Sequence, residues 1–342
     1  MPASYQTGIS TSPTNLLQTL ITWLIAQGWT SDMSQAEDDG WRAHLHKGDL
    51  YVNFRAAEDE KIWPKEPPAS GYWDSTEGYG IGLYLGDDHD GGLAWDRQGG
   101  RPIRTDSSTS GCGMNLPSGP VAAYHFFDDG EDHIIVVVER SPGIFCHMCW
   151  GPSMTKTGFS DDFPYFSASS SALRNTFKGE LTHNRGGINI TAYAPMSHMD
   201  KDPQSAGWVH STAFVRVDAV TFSNRWVGNC SRDEAQFGYT GRYLRCALNG
   251  NPDTQATCDE DEFPGYQYML SRVHQTAFAG ALILPLHCYV LTDPGARWAP
   301  VGYPPSIFWC EGVGHGYAAG VVYQVGGLDY MLFPHFAVRK AA

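Results

Sequence analysis

At 342 residues the chain is longer than a single core usually serves, so one large domain with insertions and two domains both fit. A formal charge of −14 leaves no basic footprint of the kind nucleic-acid binding requires, and suits a soluble protein or one with a basic partner surface. Scattered glycine (38) and proline (21) in a chain that is 42% apolar favour many short strands joined by turns over long helices.

The clearest helix comes first, in STSPTNLLQTLITWLIAQGW. Ser12 is placed to cap it and Pro13 sits where a missing N–H costs nothing. Leu17, Leu20, Ile21 and Leu24 form an apolar stripe that is expected to pack on a sheet, and Gly28 is a natural stop. No Lys or Arg precedes the apolar segment 16–26, and Gln18, Thr19 and Thr22 interrupt it, so no secretory signal is expected. The longest later apolar segment, 277–291, contains Gly280, Pro285 and His287 and is too short to span a bilayer.

Strand patterns then dominate. LYVNFR (50–55) and YGIGLYLG (79–86) alternate, with Ile81, Leu83 and Leu85 on one face; between them KIWPKEPPASGYWD (61–74) reads as a proline-broken loop. GDDHDGG (86–92) reads as an acidic turn. VAAYHFF (121–127), the turn DDGED, HIIVVVER (133–140), the turn SPG and then IFCHMCW predict an antiparallel meander. The continuous β-branched run 134–138 predicts a strand covered on both sides. SASSSA (167–172) reads as a linker or surface loop, GGINITAYAP (186–195) and STAFVRVDAVTF (211–222) as strands, and 229–263 as a long excursion with little core pattern. A weaker helix is expected near 267–277. GALILPLHCYVL (280–291), SIFWCEG (306–312), VVYQV (321–325) and LDYMLFP (328–334) read as closing strands, the last two joined at Gly326 and Gly327.

The predicted fold is mainly β with minor α: antiparallel, β-sandwich-like sheets with an N-terminal helix packed on one of them. Its expected divisions are an arm and helix at 1–30, an antiparallel β core at 31–165, a loop-rich β insertion or contact region at 166–275, and C-terminal strands completing the core at 276–342.

Four groups of residues could carry chemistry. The first is FCHMCWG (145–151). Side chains alternate along a strand, so Phe145, His147 and Cys149 share one face and Cys146, Met148 and Trp150 the other. Cys146 and Cys149 then point apart, which argues against a redox pair or a metal knuckle, and the chain has no second CxxC. Buried thiols are the expected state of all eight cysteines, with a disulfide among Cys230, Cys246 and Cys258 as the alternative. Second, Asp87, Asp88 and Asp90 lack the ligand offsets of a calcium loop and read as a solvated turn. Third, Asp128, Asp129 and Asp132, with Glu131 and His133, offer the paired carboxylates a glycan hydrolase uses, but Asp also suits hairpin turns for backbone reasons. Fourth, eleven tryptophans could stack on sugars or fill a core. Neither HExxH, GxSxG, a phosphate-binding glycine loop nor a dinucleotide fingerprint is present, and no catalytic residue, metal ligand or cofactor is assigned.

Tyr5, Gly8, Ser12, Pro13, Gly28 and Trp29, followed by YHFFDDGEDHIIVVVERSPGIFCHMCWGPSMTKTG (124–158), form a pattern that resembles a group of tailed-bacteriophage virion proteins. His147, Gly151, Lys156 and Gly158 match that group's central block, and PLHCYVL, PVGYPPSIF and GGLDYMLFP resemble its closing strands. The resemblance covers the two ends and the centre, about half the chain; 200–275 lies outside it. It implies a tail, neck or baseplate component made in the host cytoplasm without a signal peptide, and it carries no enzyme activity. The partners it implies are other virion proteins and copies of this chain in a symmetric ring, with neither nucleic acid nor membrane among them. The excursion 229–263 is the expected contact arm. The rival readings are an envelope-glycan hydrolase acting through Asp128, Asp129 and Asp132, and a sugar- or receptor-binding module.

Overall fold

The computed structural model describes residues 3–58, 80–102, 111–116, 118–156, 164–171, 212–216, 226–228, 243–246, 284–285, 288–291, 298–310, 317–325, 327–334 and 336–340. The expected loop 61–74, the strand 186–195 and the helix near 267–277 lie outside these residues, as does most of 229–263.

Helix α1 (Pro13–Ala26) forms where its caps place it. Ser12 is extended, and its hydroxyl accepts from the Asn15 N–H at 3.2 Å. Gly28 reverses the chain at φ +87°, a conformation glycine adopts without strain. Leu16, Leu17, Leu20 and Leu24 are fully buried.

Strand β1 (Ser4–Ser10) precedes the helix. After it come β2 (Thr30–Glu37), β3 (Gly40–Lys47), β4 (Leu50–Ala57), β5 (Gly80–Gly86) and β6 (Cys112–Asn115). The predicted meander follows as β7 (Val121–Asp128), β8 (Ile134–Ser141) and β9 (Ile144–Gly151). Shorter strands continue: β10 (Thr155–Lys156), β11 (Tyr165–Ala168), β12 (Ser170–Ser171), β13 (Thr212–Arg216), β14 (Trp226–Gly228), β15 (Tyr243–Cys246), β16 (Leu284–Pro285) and β17 (Cys288–Leu291). The chain closes with β18 (Trp298–Tyr303), β19 (Ile307–Trp309), β20 (Val322–Val325), β21 (Leu328–Phe333) and β22 (Phe336–Arg339).

Among the described residues these strands build four sheets. The orders are β1-β7-β8-β9-β11-β13-β14, β12-β6-β5-β4-β3-β2, β16-β19-β22-β21-β20 and β10-β18-β17-β15. Neighbours within each sheet run antiparallel, so the described residues are mainly β with one α-helix, as the mainly β reading with minor α expects.

The seven-stranded sheet is the middle layer. One face of its meander, through Val136, Val138, Met148 and Trp150, joins α1 and the apolar face of the six-stranded sheet in one core. Trp150 meets Trp29 and Phe54 edge-on, at 6.2 and 5.2 Å between ring centroids. Trp23 of the helix reaches Phe126 at 5.5 Å. The other face, through Phe127, Ile135, Val137, Phe145 and Cys149, packs on Met331, Phe333, Phe336 and Val338 of the C-terminal sheet. Residues 134–138 are therefore buried on both sides, as their unbroken β-branched run predicts.

Two local expectations change. The serine run 167–172 is not a surface loop: Ser167 and Ser169 are buried and part of the run forms β11 and β12. Ser169 donates its N–H to the His147 carbonyl at 2.9 Å, and its hydroxyl accepts from the His147 N–H at 3.3 Å, so short hydroxylic side chains satisfy a ladder in a tight space. Within the excursion 229–263, Tyr243–Cys246 pairs with Cys288–Leu291 as a sheet strand.

Candidate functional site

The cysteine strand β9 keeps the predicted alternation. Cys146, Met148 and Trp150 belong to the helix-side core, whereas Phe145 and Cys149 belong to the core beneath the C-terminal sheet. The two thiols are buried on opposite faces, where they can neither bridge one another nor hold one ion. His147 shares the Cys149 face and meets Phe336 edge-on at 5.6 Å. Burial lowers its pKa to about 3, so it is neutral at any ordinary pH.

The acidic hairpin between β7 and β8 uses its carboxylates as turn ligands. Asp128 Oδ1 accepts from the Gly130 N–H at 2.7 Å. Asp129 Oδ1 accepts from Glu131 and His133 N–H groups at 2.8 and 3.2 Å. Asp132 pairs with Lys47. Burial raises the pKa of Asp128, and it raises that of Asp129 to about 6 despite the backbone donors. Burial also lowers His133 to about 4, and its Nδ1 lies 3.2 Å from the Tyr165 hydroxyl. The structure thus brings Asp128, Asp129, Asp132 and His133 together at one sheet end.

The third place is the outer face of the six-stranded sheet. Alternation that sends Ala43, Leu45, Val52, Phe54, Leu83 and Leu85 into the core sends polar residues outward. Register then lines up Met33, His44, Asn53 and Tyr84 across β2, β3, β4 and β5. The segment after β5, carrying Asp87, Asp88 and Asp90, folds back over this row. The Tyr84 hydroxyl donates to the Trp95 carbonyl, and buried Gln98 donates to the Asp90 and Ala94 carbonyls at 3.2 Å each. Asp87 pairs with Arg216, and the Trp226 indole donates to the Gly100 carbonyl at 2.7 Å, which fastens the segment to β13 and β14. His89, within the turn, stacks on His44 at 4.2 Å between centroids. His44 and Asn53 are each only 1% exposed, and desolvation lowers His44 to about 4.

The fourth place is a sheet edge. β1 pairs with β7 on one side, and among the described residues no strand pairs with its other side. Its sequence, SYQTGIS, carries no charge and no proline, and a bulge between Gly8 and Ser10 leaves Ile9 78% exposed. Inward, Tyr5 meets His125 Nδ1 at 2.9 Å and lies under Lys340 Nζ at 4.7 Å from its ring centroid.

The turn carboxylates and the cysteines were nameable from sequence. The His44, Asn53 and His89 group was not, because register and a folded-back segment create it; alternation around His44 was its only trace. Trp23, Trp29, Trp95, Trp150 and Trp226 are buried and serve as core. Among the described residues no helix is long and apolar enough to cross a membrane, and no three His, Cys, Asp or Glu side chains converge as a metal site. No protein-family model matches the chain, and neither does any curated protein.

Proposed function

We propose that this chain is a structural component of a tailed-phage virion, in the tail, neck or baseplate, and that it works by protein–protein assembly. The observation that carries the assembly reading is the β1 edge. A neutral, proline-free edge strand with no partner on its outer side among the described residues is a template for pairing with another chain, at least over Ser4–Gly8, before the bulge at Gly8 to Ser10 turns the edge. The virion setting comes from the sequence resemblance, and buried aromatic layers with thiols as packing accord with a part that acts through shape. Mass spectrometry of purified particles tests it. The protein is expected at a fixed copy number per virion, and its absence from intact particles would overturn the proposal.

One observation favours the hydrolase reading instead. Asp128 and Asp129 have raised pKa values, and a general acid must hold its proton near neutral pH. Their Oδ1 atoms already serve the turn, which supports the structural role. Release of sugars from envelope glycan, abolished by Asp128→Asn and Asp129→Asn in protein that still folds, would reverse the preference.

A further inference from the structure

We propose that the flank formed by the free edge of β1 and the outer face of α1 pairs with the same flank of a second copy of this chain, about a two-fold axis perpendicular to the seven-stranded sheet. The inference rests on the assembly reading of the β1 edge and names its partner.

The flank begins in an unusual run of sequence. Residues 1–31 contain no Asp, Glu, Lys, Arg or His, in a chain whose charged fraction is 18% and whose formal charge is −14. That run builds both β1 and α1. The helix doubles back along the strand. Near its start the Asn15 side-chain oxygen accepts from the Ser10 hydroxyl at 2.9 Å and from the Thr11 N–H at 3.3 Å. Near its end Trp23 reaches Phe126, the register partner of Gln6. Leu16, Leu20 and Leu24 face the core, so Asn15, Thr22, Ile25 and Ala26 face out beside the free edge. Ile9 and Ile25, 78% and 48% exposed, are the two most exposed large apolar side chains among the described residues, and both belong to this flank.

Charge decides the occupant. The helix ends are closed within the chain: Glu58 accepts from the Thr14 N–H and Lys47 donates to the Gln27 carbonyl, each at 2.9 Å. The outer face between them has no charge that calls for an opposite one. A basic partner would leave its cations desolvated there, and finds its match elsewhere on an acidic chain. Two copies of a chain with charge −14 repel through any acidic surface and meet without like-charge contact on an uncharged one. The second copy has the matching edge by construction, and two-fold pairing closes both edges at once.

Both layers of the flank can engage together. Over Ser4–Gly8, before the bulge, β1 runs antiparallel to its copy and carries the sheet through the interface. Strands in a sheet lie about 4.8 Å apart, so a helix lying over the β1–β7 pair meets its copy at roughly 10 Å, the ordinary spacing of packed helices. The two helices run antiparallel, which also sets their dipoles in the favourable sense.

The test uses the full chain. Sedimentation and native mass spectrometry should show a dimer below about 100 μM, since interfaces of standard size reach micromolar Kd or better. Thr22→Lys and Thr22→Glu each put like charges on the exposed helix face. Each should weaken dimerisation at least tenfold and leave the urea midpoint unmoved, because both are better helix formers than threonine. Mixed in equal amounts, the two variants should recover a mixed dimer, because the axis sets opposite charges against one another. A wild-type chain that stays monomeric at that concentration overturns the proposal. So does a dimer indifferent to both charges, or a pair of variants that stay monomeric together. Particle mass spectrometry judges the assembly reading separately: protein present in virions yet monomeric in solution overturns this pairing and leaves assembly with another partner standing.

Discussion

The two larger sheets share one apolar core but treat their second faces differently. The seven-stranded sheet turns Phe127, Ile135, Val137 and Phe145 outward and covers them with apolar residues from the chain's last strands. Outward from the six-stranded sheet point His44, Asn53 and Tyr84, under a segment held by hydrogen bonds. An apolar cover binds through area and feels pH only through the few histidines it buries, such as His147 against Phe336. A polar cover binds through paired groups, each costly when its partner goes, so it responds to protons, ions and single substitutions.

Removing part of the apolar cover should have the largest effect. Phe333 is fully buried against Phe127, Phe145 and Phe336, so Phe333→Ala should cost about 3–5 kcal/mol in urea unfolding. A loss below about 1 kcal/mol would mean that this face is not a core.

Acid should act next. His44, His133 and His147 have folded pKa values of about 4, 4 and 3, below the ordinary 6.5, because burial disfavours the charged ring. The stability they contribute is complete above pH 6.5 and is lost as pH falls from there toward their folded values, at up to about 1.4 kcal/mol per pH unit for each. Asp129 works in the opposite sense. Its folded pKa of about 6 lies above the usual 3.8, so it favours the fold below about pH 3.8 and loses that contribution as pH rises to 6. Urea midpoints measured between pH 7 and pH 5 should therefore fall steeply, and His147→Phe should make the decline shallower by one histidine's share.

A smaller effect is expected on the polar face. Asn53→Ala strips His44 Nδ1 of its acceptor and should cost about 1–3 kcal/mol, the penalty of a buried group left unsatisfied. Least affected should be the edge variant: Ile9→Lys should leave unfolding within about 0.5 kcal/mol, since the side chain is exposed. Native mass spectrometry should nonetheless show loss of any self-association that uses β1.

What could be read from the sequence follows the same division. The helix was legible because capping, stripe and stop agree, and the meander because β-branched runs alternate with Asp-Gly and Pro-Gly turns. The opposed cysteines followed from period-two alternation alone. β1 and β2 were not legible: SYQTGIS and TSDMSQAE lack apolar alternation and are strands only because β7 and β3 supply partners. β22, four residues just beyond Pro334, is too short to declare itself. The outer polar site depends on β2–β3–β4 register and on a segment folding back from β5, neither of which has a local sign.

The cover of the seven-stranded sheet has a consequence for biosynthesis. Phe127, Phe145 and their neighbours emerge from the ribosome well before the residues around 331–338 that shelter them. At 5–20 residues per second the delay is on the order of 10–40 s, during which a half-finished layer presents an apolar wall to water. Chains stopped short of β21 should therefore collect with chaperones or in inclusion bodies.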